Sequence, residues 1–214
     1  MSGGTFYNPT AFRVDDPDVL GDCVDALTFA TLLSNGPDGP RASHLPMLLD
    51  RSGGGTLRGH LARANDHVDV LDGERALVIF QGPAHYVSPS WYPTKAETGR
   101  VVPTWNYVVV HARGRVRTRN GRDWLRTLIT DLTGRMERGR PAPWAVGDAP
   151  ADFTETLLGQ IVGIEIALSS LTGKFKLGQN RSAADRAGMA AGLAAEQPEV
   201  HAALRRLPGT PTDL

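Results

Sequence analysis

Apolar residues recur at two different periods along this chain, and the change of period divides it into elements. Between Phe29 and Thr118 they come in short runs bounded by turn residues. Phe29–Ser34, Ala42–Asp50, Thr56–Leu61 and Arg75–Phe80 read as strands, with Asn35–Pro40 and Ser52–Gly55 as the turns of a meander. Val101–Thr118 alternates, with Val108, Val110 and Ala112 on one face and Tyr107, Val109 and His111 on the other. Ile161–Leu171 is the sixth strand pattern. Helical spacing appears in Asp15–Leu27, with Asp15 or Asp16 as N-cap and Pro17 in the first turn. It returns in Arg122–Arg138, through Leu125, Leu128, Ile129, Leu132 and Met136, and in Asp152–Gln160. Asn65 caps a short helix through Leu71, Ser182–Leu193 opens with a Ser-x-x-Asp capping pattern, and Gln197–Leu207 continues helical. The class is β-rich (all-β or α+β): an antiparallel β core of six strands with inserted helices and a helical C-terminal tail, which favours a closed or partly closed barrel.

The segment Phe80–Gly114 changes this picture from generic to chemical. It holds two of the four Trp, three of the four Tyr and four prolines, Pro83, Pro89, Pro93 and Pro103. Proline removes backbone donors and clashes with the preceding helical turn, so the segment reads as strand, structured loop and strand. Rings, hydroxyls, Lys95 and Asn106 lie close together there, which suits a flat, partly polar ligand better than a plain core.

Composition narrows the function classes. With 214 residues and 41% hydrophobic content the chain can bury a sizeable core. Its 23 basic and 23 acidic residues cancel, so it exerts no global pull on nucleic acid or an anionic membrane, and any DNA affinity needs a local patch. Cys23 is the single cysteine, which excludes an intrachain disulfide and a thiolate zinc cluster; a small buried side chain is the expectation for it. No apolar run approaches the ~18 residues of a membrane span, and the N-terminus lacks the charge and apolar pattern of a signal peptide, so a cytoplasmic location is expected.

Gly59–Asn65 (GHLARAN) ends a strand and starts a helix, where free N–H groups and the positive end of the helix dipole suit a phosphate. Arg63 adds a planar fork; the alternative is that it caps a neighbouring carbonyl while Asn65 only caps the helix. His44-Leu45-Pro46 lies in a strand whose proline makes it an edge or a bulge, with backbone groups open to a ligand or simply to solvent. His44, His60, His85 and His111 show no metal-ligand spacing, so no metal is expected. No nucleophile–base pair stands out, and catalytic residues are unassigned. Lys174–Arg181 (KFKLGQNR) reads as a basic, amide-rich loop, either a lid or phosphate contact or a solvated turn.

HLP at 44–46, GHLARAN at 59–65, the FQGPAHYVSPSWY string at 80–92, VPTWNYVVVH at 102–111, IVGIEI at 161–166 and KFKLGQNR at 174–181 resemble, in this order, the PaiB-like family of FMN-binding transcriptional regulators. Some of its members exert negative control over sporulation and protease genes. The resemblance runs from Tyr7-Asn8-Pro9 to about Leu193. It implies the FMN-binding split barrel, a Greek-key-like core also used by pyridoxamine-phosphate oxidases and flavin reductases, in which a homodimer forms two flavin sites. The chain departs from the family pattern at Leu27-Thr28, at Asp66-His67-Val68 after the LARAN string, and at Gly178 before Gln-Asn.

On this basis FMN is expected as cofactor, in a domain at 1–171, with a basic loop and helices at 172–214 packed on the dimer. Arg63, Lys95 and a partner's Lys174 or Lys176 would neutralise the phosphate, while His60 and Asn65 hydrogen-bond phosphate or ribityl chain. Main-chain groups from His44, Leu45 and Pro46 to Met47 would meet the ring edge, and Trp91 or Trp105 its apolar face. Ser88, Asn106, Gln179 and Asn180 complete the expected cofactor set. Two functions follow: a negative transcriptional regulator or flavin-linked sensor, or a flavin-dependent oxidoreductase on a small planar substrate, with His85, Tyr86 and Tyr107 as its polar candidates. DNA is a partner that the charge supports only weakly, through Arg181, Arg186, Arg205 and Arg206.

Overall fold

The computed structural model describes residues 6–214; the start of the expected 1–171 domain, and of the segment read for a signal peptide, lies outside the described residues. In chain order the elements are β1 (Arg13–Val14), α1 (Pro17–Leu27), β2 (Phe29–Gly36), β3 (Gly39–Pro46), β4 (Leu48–Asp50), β5 (Thr56–Ala62), β6 (Arg75–Val87), α2 (Pro93–Thr98), β7 (Thr104–Arg119), α3 (Arg122–Met136), α4 (Ala151–Leu158), β8 (Ile161–Lys176), α5 (Ala183–Glu196) and α6 (Pro198–Arg206). Asp16 caps α1, its carboxylate accepting from the Asp18 and Val19 N–H groups. Two compact units form: Thr28–Phe80 with His111–Ser170, and residues up to Leu27 with Gln81–Val110 and Leu171–Leu214. The C-terminal helices thus belong with the chain's start and with the aromatic segment.

In the first unit seven strands run in the order β3-β2-β6-β7-β8-β5-β4. Strands pair antiparallel from Phe29↔Pro46 to Gly36↔Gly39 across the β2–β3 hairpin, and from Thr56↔Ala167 to Ala62↔Ile161 between β5 and β8. Because β4 follows β3 after one residue, Met47, the path returns toward its own start at a proline corner without a β3–β5 ladder. This is a split β-barrel. Inward positions at period two carry its core: Ala30, Leu32, Leu45, Leu57, Leu61, Val78, Phe80, Ala112, Val116, Ile164 and Ile166. Outside, α3 lays Leu128 and Leu132 on Leu48, with Trp124 packed alongside.

In the second unit β1 pairs with β8 at Arg13↔Lys174 and Val14↔Gly173. Helix α5, capped by the Ser182 hydroxyl, docks on the segment Ser88–Thr98. The contact is close because two residues lack a Cβ. One placed on Gly188 would lie 2.1 Å from the Trp91 carbonyl oxygen, and one on Gly192 would lie 2.4 Å from the Trp91 ring. The Trp91 indole N–H donates to Glu196 (2.7 Å), and the buried Asp185 carboxylate accepts from both the N–H and the hydroxyl of Thr94.

Asn65 caps a short helix as expected, a 3-10 helix over Asp66–Val70 with Leu71 as its C-cap. Three expectations need correcting. The strand at Arg75 continues to Val87 through Pro83, which lies beyond the stretch Leu77–Ile79 that β2 pairs, so the proline costs no ladder bond there. Lys174–Lys176 are the end of β8, not a loop. The strands number eight among the described residues, the extra two being short β1 and the β4 piece beyond the Met47 corner.

The α5 seam generates a test whose sign decides. Alanine is preferred over glycine in a helix by about 1 kcal/mol, so Gly134→Ala on α3, where a Cβ meets nothing, should raise the melting temperature. Gly188→Ala should lower it by several degrees, since overpacking against a backbone oxygen costs about 1–3 kcal/mol. Thermal unfolding followed by circular dichroism measures both.

Candidate functional site

Six of the expected cofactor residues belong to the barrel unit. His44, Leu45 and Pro46 form the end of β3, the first strand of the path, whose ladder uses only the side facing β2. His44 is exposed and its Nδ1 is 3.0 Å from the Thr31 hydroxyl; Leu45 is buried, so any ligand contact it makes runs through its backbone. His60 pairs with Gly163, and a Cβ on Gly163 would meet the Trp124 ring at 2.2 Å. Cross-strand partners share a face, so His60 points to the α3 side of the sheet. Arg63 is exposed but braced: Nε donates to Gly159 O (3.0 Å), and Nη2 to Ile161 O (2.9 Å) and Asn120 Oδ1 (3.1 Å). Carbonyl capping, the alternative reading of Arg63, is what those bonds do; Nη1 takes no part in them. Asn65 accepts from His67 N and donates to Ser43 Oγ.

That last contact leads to a residue that pattern reading passed over. His67 is buried between two serines, with Ser43 Oγ 2.8 Å from Nδ1 and Ser34 Oγ 2.9 Å from Nε2. A neutral imidazole has one donor and one acceptor nitrogen, so one hydroxyl donates to it and the other accepts. The network ties the 3-10 turn to the β2–β3 hairpin. The signals in the sequence were the position of His67 two residues after a capping asparagine and the departure of Asp66-His67-Val68 from the family pattern.

The other eight lie in the second unit. Trp105 is 57% exposed and meets Tyr86, 43% exposed, edge to face at 6.3 Å between ring centroids. Beside them the Lys176 ammonium donates to the Trp105 carbonyl (2.9 Å) and the Thr104 hydroxyl (2.5 Å). Two aromatic surfaces and a fixed cation thus stand together, a platform for a flat anionic molecule. Lys174, the other expected cation, is buried between the Tyr7 and Tyr107 rings at 5.0 and 5.5 Å and donates to Tyr7 O. Lys95 is exposed and donates to Ser90 Oγ, while Ser88 accepts from Ser90 N. Trp91 has one ring face against Gly192. Asn106 is buried with its amide on the Met189 sulfur, Gln179 folds back on Phe175 O and Leu177 N, and Asn180 is exposed.

His85 is 1% exposed, and neither ring nitrogen has a hydrogen-bond partner among the described residues. Burial pushes its pKa down to about 4. Burial also lowers His60 and His67, the latter with help from Arg41. Cys23, buried under Pro208 O, is pushed up to about 11 by burial and by Asp22, so it is a thiol and not a nucleophile. Among the described residues no cluster of His, Cys, Asp or Glu could hold a metal ion, and no helix is long and apolar enough to cross a membrane.

A flavin mononucleotide asks for flat apolar surface, main-chain groups at the ring edge and cations for the phosphate. In the second unit the exposed Tyr86–Trp105 pair with Lys176 offers surface and charge. In the barrel unit Arg63 offers a braced guanidinium. The residues present fit such a group. Solved flavoproteins share the architecture. The FAD and heme binding protein from Mycobacterium smegmatis matches at a TM-score of 0.59 with 18% identity, covering 78% of this chain and 74% of that one. The flavocytochrome Anf3 from Azotobacter vinelandii matches at 0.56 with 12% identity, covering 78% and 70%. Fold and site together define a flavin-binding split-barrel protein. Residues 6–170 match the family model described as "Putative FMN-binding domain", and the chain belongs to that family, in its PaiB-like branch. Among its relatives, the Protease synthase and sporulation protein PAI 2 of Bacillus subtilis is 30% identical over 84% of both chains. An uncharacterized protein of Emericella nidulans is 34% identical over 72% of this chain and 74% of its own.

The buried histidines set a pH dependence. Each has a folded pKa below its unfolded value near 6.5, so the unfolded chain binds more protons as pH falls, and stability present above pH 6.5 is lost toward pH 4. Urea unfolding should therefore give less stability at pH 5 than at pH 7.5, by up to about 1.4 kcal/mol per pH unit for each neutral histidine. His85→Leu should shallow that slope; an unchanged slope would mean that His85 is protonated in the fold.

Proposed function

We propose that this protein is a flavin-linked sensor that acts as a negative transcriptional regulator, working as a homodimer with FMN bound. The observation that carries this assignment is the exposed Tyr86–Trp105 pair held beside the Lys176 ammonium. Bound FMN would bring a ring system that accepts and returns electrons. Trp105 and Tyr86 would cover its apolar face. Within the second unit Lys95 and Lys176 would balance negative charge and Ser88 would add a neutral hydrogen bond. Within the barrel unit Arg63, through its Nη1, is the expected phosphate contact and Asn65 a neutral one. Membership of an FMN-binding family and a relative named for sporulation and protease synthesis support the regulatory side.

A sensor needs no proton-transfer machinery, and of the three polar candidates for such machinery one is buried and one packs on a lysine. His85 is buried and neutral, and Tyr107 lies against Lys174. The exposed Tyr86 is the one feature that favours a flavin reductase or oxidase instead.

Trp105→Ala should weaken FMN binding about tenfold, the scale of one aromatic stacking contact. Arg63→Ala should cost about 2 kcal/mol, the scale of a charged hydrogen bond. Both are measured by quenching of flavin fluorescence; unchanged affinity in both would remove these residues from the site. NAD(P)H oxidation with added FMN separates the two functions. A sensor shows no sustained turnover, and rapid catalytic oxidation would assign an oxidoreductase.

A further inference from the structure

Arginine appears at every second position from 113 to 119, in the barrel unit, and the burial pattern fixes where these side chains point. Gly114 and Val116 are buried, while Arg115 and Arg117 are exposed and Arg113 and Arg119 half-buried. Successive side chains of a strand alternate faces, so all four arginines stand on the outer face of β7, about 6.6 Å apart. Gly73 N bonds to Val116 O and Val116 N to Glu74 O, which brings exposed Arg75 of β6 alongside. On the other flank Arg119 bonds to Glu165 of β8 at 2.6 Å, so Glu165, Ala167 and Ser169 share that face. Ala167 and Ser169 are small and exposed, and the Ser169 hydroxyl donates to Arg113 O. Beyond Glu165 the floor beside the arginines is therefore low, formed by Ala167 and Ser169.

The charge does not cancel here as it does over the whole chain. Five guanidiniums, Arg75, Arg113, Arg115, Arg117 and Arg119, meet three carboxylates, Asp72, Glu74 and Glu165. Glu165 is taken by Arg119; Asp72 accepts from the N–H and hydroxyl of Thr118, with Arg117 nearby; Arg115 also donates to Gly73 O. The C-terminal arginines are in a different state. Arg181 lies over the Tyr92 ring, Arg186 is paired with Asp213, and Arg205 donates to Leu214 O.

We propose that the outer face of β7 is a nucleic-acid contact surface, on which Arg113, Arg115 and Arg117 engage the phosphate backbone of duplex DNA. The proposal rests on the regulator function and says where that function meets DNA. A duplex carries one negative charge per about 1.7 Å of axis, so a straight row of guanidiniums meets phosphates wherever it lies along the backbone. Planar forks on a rigid strand bond phosphate oxygens with little further ordering. Binding of this kind carries no base readout and is steeply salt-dependent.

The test is fluorescence anisotropy of a short labelled duplex of mixed sequence, titrated with the full chain across a range of salt concentrations. Wild-type protein should bind, with affinity falling linearly in log salt. Arg113→Glu with Arg117→Glu should weaken binding at least tenfold and lower the salt slope by about 2, roughly one per phosphate contact. Arg113→Lys with Arg117→Lys should keep most of both, and FMN affinity should be unchanged in all three proteins. If wild type binds and the Glu pair binds equally well, this surface is wrong while DNA-linked regulation stands. If wild type binds no duplex even at low salt, the surface and DNA-linked regulation both fall.

Discussion

Close contact between α5 and Trp91 is the constraint on which the aromatic segment depends. Gly188 and Gly192, one helical turn apart, bring the helix backbone onto the Trp91 carbonyl and ring. A buried carboxylate then locks the approach, since Asp185 satisfies both the N–H and the hydroxyl of Thr94. Arg181 lies on the Tyr92 ring, 4.9 Å from its centroid. Removing either Thr94 or Asp185 alone would leave a buried polar group without its partner, at a cost of about 1–3 kcal/mol. The string Ser-Pro-Ser-Trp-Tyr-Pro-Thr is thus half of an interface whose other half is almost a hundred residues away in sequence.

In the barrel unit the corresponding device is the His67 network. Two serines from one hairpin grip a neutral imidazole, and Asn65 ties that grip to the turn following GHLARA. The hairpin so fixed carries β3, the strand at the start of the path, whose end at Leu45–Pro46 packs against Gly59 of β5. Arg63 is oriented by three acceptors and still presents a guanidinium nitrogen. A rigid, pre-oriented cation loses little entropy on meeting a phosphate, which is how a braced arginine serves binding better than a free one.

Much of the fold was legible because local chemistry and tertiary structure agree. Alternation at Tyr107–Ala112, the Asn35–Pro40 turn, the Asp16 cap and the 3.6-residue spacing of Leu125, Leu128 and Leu132 all mark real elements. What failed was local reading of residues governed by distant partners. Pro83 and the Lys174–Lys176 string look like loop chemistry, yet both lie in strands because pairing across the sheet overrides composition. In the candidate site Trp105 and Lys176 stand where a ligand can reach them. Asn106 and one face of Trp91 are turned into packing that only α5 reveals. That the arginines of β7 share one open face follows from the burial pattern of the strand.

The central claim is that this chain binds flavin. Equilibrium titration of FMN with the purified protein, followed by quenching of flavin fluorescence and by the shift of its visible absorption, tests it most directly. Saturable binding at one FMN per chain, lost progressively as Trp105 and Arg63 are replaced by alanine, is the predicted result. A protein that leaves the spectrum and fluorescence of FMN unchanged at concentrations well above those of the flavin would contradict it.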